Sequence, residues 1–397
     1  MPDPYGRRMT SALPRITDDQ RRARLGTRHR LAAGARAAHA EDAVRSVLLL
    51  HATDPATVYV STCARLAEPS VAEVRRALYT DRSLVRMPGM RRTVYVVPRE
   101  LVHVVQRSST DAVAVTQRRV LLQFLASGGY DEAWLERVEA DTVAALAEAG
   151  EATAIEMGAR VPLLRTQIRV AVGKPYEANQ GVSTRLLFTL SCEGRIVRAE
   201  PQGSWLSSRF RYTTMPPLPE IGKTEAKAEL VRGWLAVFGP GTADDLKWWT
   251  GWTAADVRHA LAAVRAVEVG LDDGTTGWVL PGDEEPEPAP EPWAALLPAL
   301  DSTPMGWKAR DWYITPALRE HLFDRMGNIG PTVWWNGRVV GGWSTRPDGD
   351  LAWRALVDLD PEATKAIEAE VARHASWLEG THITPRFRVP LDRALSA

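Results

Sequence analysis

In SVLLLHATDPATVYVSTCARL (46–66), His51, Thr53 and Asp54 interrupt an apolar run just before Pro55. His51 offers a ring nitrogen that can accept a hydrogen bond or a proton from water, with an ordinary pKa of about 6.5. Thr53 adds a hydroxyl that both donates and accepts. Two residues apart at a predicted helix–loop junction, the two groups can face one side of the chain and hold a water between them. The alternatives are structural: a histidine hydrogen-bonded inside its domain and a threonine at a helix entry. Asp54 followed by Pro55 has the pattern of a helix N-cap with proline at the first helical position, so Asp54 reads as a cap.

A second cluster lies in MRRTVYVV (90–97). Strand alternation would put Arg91, Thr93 and Tyr95 on one face of a hairpin and Arg92 on the other. Arginines along such a wing could hold phosphates, with Tyr95 against a sugar; a solvated hairpin with a core-facing tyrosine is the alternative. Arg65, in CARL, suits an ion pair or a phosphate contact.

The elements that must position these groups follow one recurring pattern, helices and then a short hairpin. Its clearest copy is 223–281. KTEAKAELVRGWLAVF has helical spacing of Leu230, Trp234, Leu235 and Phe238; Thr242 and Thr253 are placed to cap the next two helices; AVEVGLDDGTTGWVLP reads as strand, Asp-Gly turn, strand. That order is a winged helix-turn-helix. An earlier copy spans about 14–106 and has SLVRMPGMRRTVYVVP as its wing. A middle copy contains DEAWLERVEADTVAALAEAG and EATAIEMGARV as helices and LLFTLSCEGRIVRAE as a hairpin about Glu193-Gly194. PGDEEPEPAPEP (281–292), with five acids and no base, has the composition of an extended linker. Beyond it, turns at Asn336-Gly337 and Asp348-Gly349 within alternating strands predict a small antiparallel sheet or barrel, crossed by a final helix. The expected division is 1–120, 121–221, 222–282 and 283–397.

Composition bounds the function. The 397 residues are 45% hydrophobic and 25% charged, which suits a folded soluble protein of several units. No apolar stretch approaches a membrane span, and the N-terminus shows no signal-peptide pattern. Two cysteines without metal-ligand spacing argue for a reducing, cytoplasmic setting and against zinc or disulfides. Basic and acidic residues balance at 49 each, but residues 1–45 hold ten Arg against five acids, and 81–120 eight against three. The first third thus reads as a basic surface. The 15 tryptophans are expected mainly in core and interdomain packing. Phosphate-loop, dinucleotide, serine-elbow and HExxH patterns are absent from the sequence.

HATDPATVYVSTCARL, MRRTVYVV, FGPGTADDLKWWTG (238–251) and VWWNGRVVGGW (333–343) together resemble a family of bacterial winged-helix DNA glycosylases acting in azinomycin resistance and interstrand-crosslink repair. The resemblance implies an α+β fold of three tandem winged helices and a C-terminal β-barrel, C-shaped around duplex DNA. It also implies hydrolysis of the N-glycosidic bond of alkylated purines, bulky N7-guanine adducts among them, by a monomer without metal or cofactor. In the family's catalytic motif two polar residues flank an apolar one, usually as glutamine–apolar–glutamine or glutamine–apolar–aspartate. Here those positions are His51, Ala52 and Thr53, making His51 and Thr53 the catalytic candidates. The family's wing motif MRGTLH reads MRRTVY here, so Arg91, Arg92, Thr93 and Tyr95, with Arg65, are the DNA-binding candidates. A non-catalytic winged-helix regulator and a protein that sequesters the alkylating agent are the competing readings.

Overall fold

The structure, a computed structural model, describes residues 13–397; Arg7 and Arg8 of the basic N-terminal run lie outside the described residues. The first unit contains α1 (Asp18–Arg28), α2 (Ala40–Arg45), β1 (Leu50–His51), α3 (Pro55–Arg65), α4 (Val71–Arg75), β2 (Leu84–Pro88), β3 (Val94–Pro98) and the short α5 (Val102–Val105). Asp54 caps α3 through the Ala56 amide at 3.1 Å, and Pro55 opens the helix where its missing N–H costs nothing. Helix α2 ends at Arg45, earlier than the apolar run suggests. The chain then turns through Leu48, whose φ is 61°, into β1. His51 therefore sits on a strand, not at a helix–loop junction.

The second unit comprises α6 (Asp111–Ser127), α7 (Glu132–Ala149), β4 (Ala152–Thr153), α8 (Ala154–Arg160), β5 (Gln167–Val170), β6 (Ala178–Gly181), α9 (Val182–Cys192), β7 (Ile196–Pro201) and β8 (Phe210–Thr214). Here one expectation fails. LLFTLSC is helical, and Glu193-Gly194 ends α9 instead of turning a hairpin. Val182, Leu186, Leu187 and Leu190 are all buried at helical spacing, which an apolar run read as a strand conceals. The wing is β7–β8.

The third unit matches its expected pattern. Helices α10 (Lys223–Phe238), α11 (Ala243–Thr250) and α12 (Ala254–Ala263) precede the hairpin β9 (Val267–Gly270) and β10 (Thr276–Val279). Thr242 and Thr253 cap α11 and α12, and Asp245 completes a capping box with Thr242.

The C-terminal unit contains β11 (Ala294–Leu297), α13 (Arg319–Leu322), β12 (Thr332–Trp335), β13 (Arg338–Thr345), β14 (Leu351–Ala355), α14 (Pro361–Leu378) and α15 (Pro390–Leu395). No closed barrel forms among the described residues. The four strands make an open antiparallel sheet in the order β11-β12-β13-β14, whose outer strands do not pair with each other. Four short strands enclose too little space for side chains, so the sheet is covered instead: Ile367 and Leu378 of α14 pack with Leu296, Val333 and Trp343, beside Ala56 and Val60 of α3. The predicted turns at Asn336-Gly337 and Asp348-Gly349 are present, and the predicted helix is α14, although the short α15 follows it.

Two connections matter for the site. First, β1-β3-β2-β7-β8-β4 is one six-stranded sheet, so the first two wings are fused side by side where Arg86 of β2 faces Arg198 of β7. Second, one large core joins the first unit, the third and the C-terminal sheet, and includes Leu49, Leu50, Trp234, Phe238, Trp307 and Trp334. The middle unit has its own core around Leu135, Leu186 and Leu190. Among the described residues, no helix is long and apolar enough to cross a membrane.

Among the described residues, the arginines on and just before α1 do not form a free surface. Helix α1 docks on the third and C-terminal units, and its arginines are used there. Arg24 is 2% exposed and bonds Gly239 O, Asp283 O and Glu285 O. Arg28 pairs with Asp283 and Glu287, and Arg15 with Asp272. Arg21 lies 4.0 Å from the Trp312 ring. The acidic, proline-rich stretch is accordingly a strap against α1, not an extended linker. Gly26 allows the close approach, since a Cβ there would meet Pro290 and Trp293 at 2.6 Å.

Candidate active site

Strand β1 is only two residues long, yet it fixes His51. Its register places His51 opposite Tyr95 of β3 and Leu50 opposite Val96. The His51 and Tyr95 rings meet edge-on with centroids 5.6 Å apart. The register continues through the Ala52 amide, which donates to Val94 O at 2.8 Å. On the other side, the His51 amide donates to Ser302 Oγ at 3.4 Å, and Ser302 in turn donates to Leu49 O.

His51 is 9% exposed, at the edge of the interior. Among the described residues its Nδ1 is enclosed without a partner; Nε2 also lacks a protein partner but is not enclosed, so it is the nitrogen that reaches solvent. Burial, helped by the nearby Arg91 charge, pulls the imidazole pKa down to about 4. The ring is therefore neutral at pH 7. Thr53 is half-buried; its hydroxyl has no partner among the described residues and is likewise not enclosed. Its carbonyl accepts from Arg386 at 3.4 Å.

Several polar groups around them are occupied. Asp54 uses one oxygen on Ala56 N and the other on Arg386 N, 2.9 Å away, which leaves it a cap and a tether for the C-terminal segment. Ala52 O, between the two candidates, accepts from Arg86 Nη1 at 3.0 Å. Thr57 Oγ1 donates to Ala299 O at 2.8 Å.

Arg65 is fully enclosed and forms an ion pair, one of the two roles its sequence context suits, and so is not an open phosphate contact. It bonds both oxygens of Asp301 at 2.8 Å, together with Ser61 O and Thr303 Oγ1. Burial pushes the Asp301 carboxyl up, but the Arg65 charge and hydrogen bonds and the Ser61 hydroxyl outweigh it and hold the carboxyl below its ordinary value. Geometry of this kind stabilises a buried pair, and it clamps α3 to residues 299–303, which also hold the His51 amide.

The wing residues are arranged differently from a regular hairpin. Arg91 and Arg92 both have positive φ, 54° and 61°, inside a tight 3-10 turn, so they do not alternate as strand residues would. Both are exposed. Arg91 stacks 4.6 Å from the Trp248 ring, which Arg310 also approaches at 5.0 Å. Arg92 reaches Gln117 at 3.5 Å, and Thr93 is half-buried. Tyr95 is 4% exposed, a wall for His51 and not an open platform; burial raises its phenol pKa. Gly89 makes room for this ring, because a Cβ there would lie 2.9 Å from it.

Sequence reasoning missed three residues. Arg86 holds the motif's central carbonyl; its visible signal was an arginine in an otherwise apolar strand, LVRMP. Ser302 and Arg386 reach the motif from more than 240 residues away and left no local signal.

A sequence profile described as "DNA glycosylase AlkZ-like" matches residues 44–377, most of the chain. The chain belongs to this AlkZ-like family. A structure of Streptomyces sahachiroi DNA glycosylase AlkZ superposes with a TM-score of 0.70 at 20% identity, covering 91% of this chain and 97% of that one, which establishes a shared fold. Curated protein sequences contain no match.

Proposed function

We propose that this AlkZ-like protein is a monofunctional DNA glycosylase that hydrolyses the N-glycosidic bond of alkylated purines, bulky N7-guanine adducts in particular. The observation that carries the reading is the state of the motif. His51 Nε2 and Thr53 Oγ1 are open polar atoms without partners among the described residues, while Asp54 and the Ala52 carbonyl between and beside them are engaged. A rigid frame around two unused polar atoms is what a preorganised site requires.

An N7-alkylated guanine already carries positive charge. When the bond from C1′ to N9 breaks, the bonding electrons neutralise the base, and no acid is needed to protonate it. The remaining work is to place a water at C1′ and to tolerate an oxocarbenium-like sugar. Neutral His51 accepts a hydrogen bond from that water. With a pKa of about 4 it is a weak base, so the proton passes on to solvent as the new C1′–O bond forms. Thr53 Oγ1 orients the same water or the sugar oxygen. Duplex DNA is held by cations that no carboxylate neutralises within the described residues, Arg91 and Arg92 on the wing turn and Arg386 beside Thr53. The protein acts as a monomer in the cytoplasm.

The test is incubation of the protein with duplexes bearing defined N7-alkylguanine adducts, followed by alkaline cleavage at any abasic site. Strand cleavage at the adduct supports the reading. Binding of the duplex with no abasic product would instead favour a passive DNA-binding protein.

A further inference from the structure

The fusion of the first two wings creates a second feature that the proposed reaction does not use. At the β2–β7 junction, Arg86 and Arg198 face each other across antiparallel strands, and both guanidiniums stack on Phe210, at 4.6 and 5.2 Å. Like charges directly opposed across strands repel. Arg86 is 2% exposed, yet no carboxylate lies within 4 Å of it among the described residues. Nη1 is bound to Ala52 O, whereas Nε and Nη2 are enclosed without partners. Tyr79 Oη, beside Tyr59 and Arg86, is also enclosed and makes no well-formed hydrogen bond with either.

These groups line one cavity of about 150 Å³, between the end of α4 and the two wings. Arg82, Arg99 and Arg198 share the lining with Arg86 and Tyr79, and the lining contains no carboxylate. Among the described residues Arg82 alone of the four is neutralised, by Glu151 at 2.7 Å. Since liquid water occupies about 30 Å³ per molecule, the space accepts a small tetrahedral anion. Guanidinium forks and a phenol match phosphate oxygens in geometry and charge.

We propose that this cavity is a phosphate-binding site, with Arg86, Arg198, Arg99 and Tyr79 as its donors. Arg86 joins the site to the motif: with a phosphate on Nε and Nη2, the same guanidinium holds Ala52 O, between His51 and Thr53. The phosphate comes from a nucleic-acid backbone or is free in solution. Its binding is read without any catalysis, so the site stands or falls independently of the glycosylase assay.

The experiment follows thermal unfolding of the full chain against inorganic phosphate at constant ionic strength, with chloride as reference. Phosphate should raise Tm saturably by several degrees, and Arg198→Gln and Arg99→Gln should each weaken that response at least tenfold in midpoint concentration. Arg137→Gln, an exposed charge on α7, should leave it unchanged. Duplex DNA separates the sources. If a backbone phosphate occupies the cavity, duplex abolishes the phosphate response and Arg198→Gln lowers the log–log salt slope of duplex binding by about 1. If free phosphate is the ligand, the response persists with duplex bound and the slope does not move. A Tm rise equal in parent, Arg198→Gln and Arg99→Gln, or no rise at all, overturns the site.

Discussion

Two arginine clusters of similar charge in the sequence have opposite fates in the fold. On and just before α1, Arg24, Arg28 and Arg15 are bound to Asp283, Glu287 and Asp272, and their role is to hold the strap and the third unit in place. On the first wing, Arg91 and Arg92 meet aromatic or amide groups and Arg86 meets a carbonyl, so no carboxylate among the described residues neutralises their charge. A count of basic residues therefore locates arginines, not a basic surface. Whether a carboxylate from elsewhere in the chain reaches them decides the electrostatics, and that is a long-range property.

Breaking a fully spent pair should have the largest effect. Asp301→Asn leaves Arg65 buried without its counter-charge and should cost about 3–5 kcal/mol in chemical denaturation. A loss below about 1 kcal/mol would show that the pair does not clamp α3. Acid should act next. Burial lowers the pKa of His29 to about 3 and those of His51 and His374 to about 4, from 6.5. Between those values the unfolded chain binds protons that the folded chain refuses. Stability should thus be intact above pH 6.5 and fall as pH drops toward 4, by a few kcal/mol in all. A flat profile of urea midpoints from pH 7 to 4.5 would contradict the burial of these rings.

The α1 strap sets a smaller difference. Asp283→Asn should cost about 1–2 kcal/mol through Arg24 and Arg28 and leave duplex affinity unchanged. Arg92→Gln should do the reverse. Stability should stay within about 0.5 kcal/mol of the parent, while the log–log salt slope of duplex binding falls by about 1. If Asp283→Asn strengthened duplex binding, the α1 arginines would belong to the DNA surface after all.

What was legible in the sequence was local chemistry. Thr242, Thr253 and Asp54 cap the helices their positions suggest, and the Asn336-Gly337 turn forms where the dipeptide indicates. Packing of most tryptophans in the interior was legible as well, with Trp234 and Trp334 fully buried. What was not legible depended on distant partners. β1 exists because Tyr95 and Val96 pair with it; α9 is helical because Leu186 and Leu190 fill the second core; the C-terminal sheet stays open because α14 covers it. His51 and Thr53, the proposed motif, are neighbours in the sequence, whereas the contacts that Arg86, Ser302 and Arg386 make with it are tertiary.

The central claim is that a neutral imidazole and a hydroxyl suffice when the leaving base is already cationic. The most direct test is the single-turnover rate of N7-alkylguanine release from duplex DNA by His51→Ala and by the parent, with duplex affinity measured alongside. The account predicts a fall of about 100-fold or more in rate at nearly unchanged affinity. Equal rates for the two proteins would remove His51 from the chemistry and contradict it.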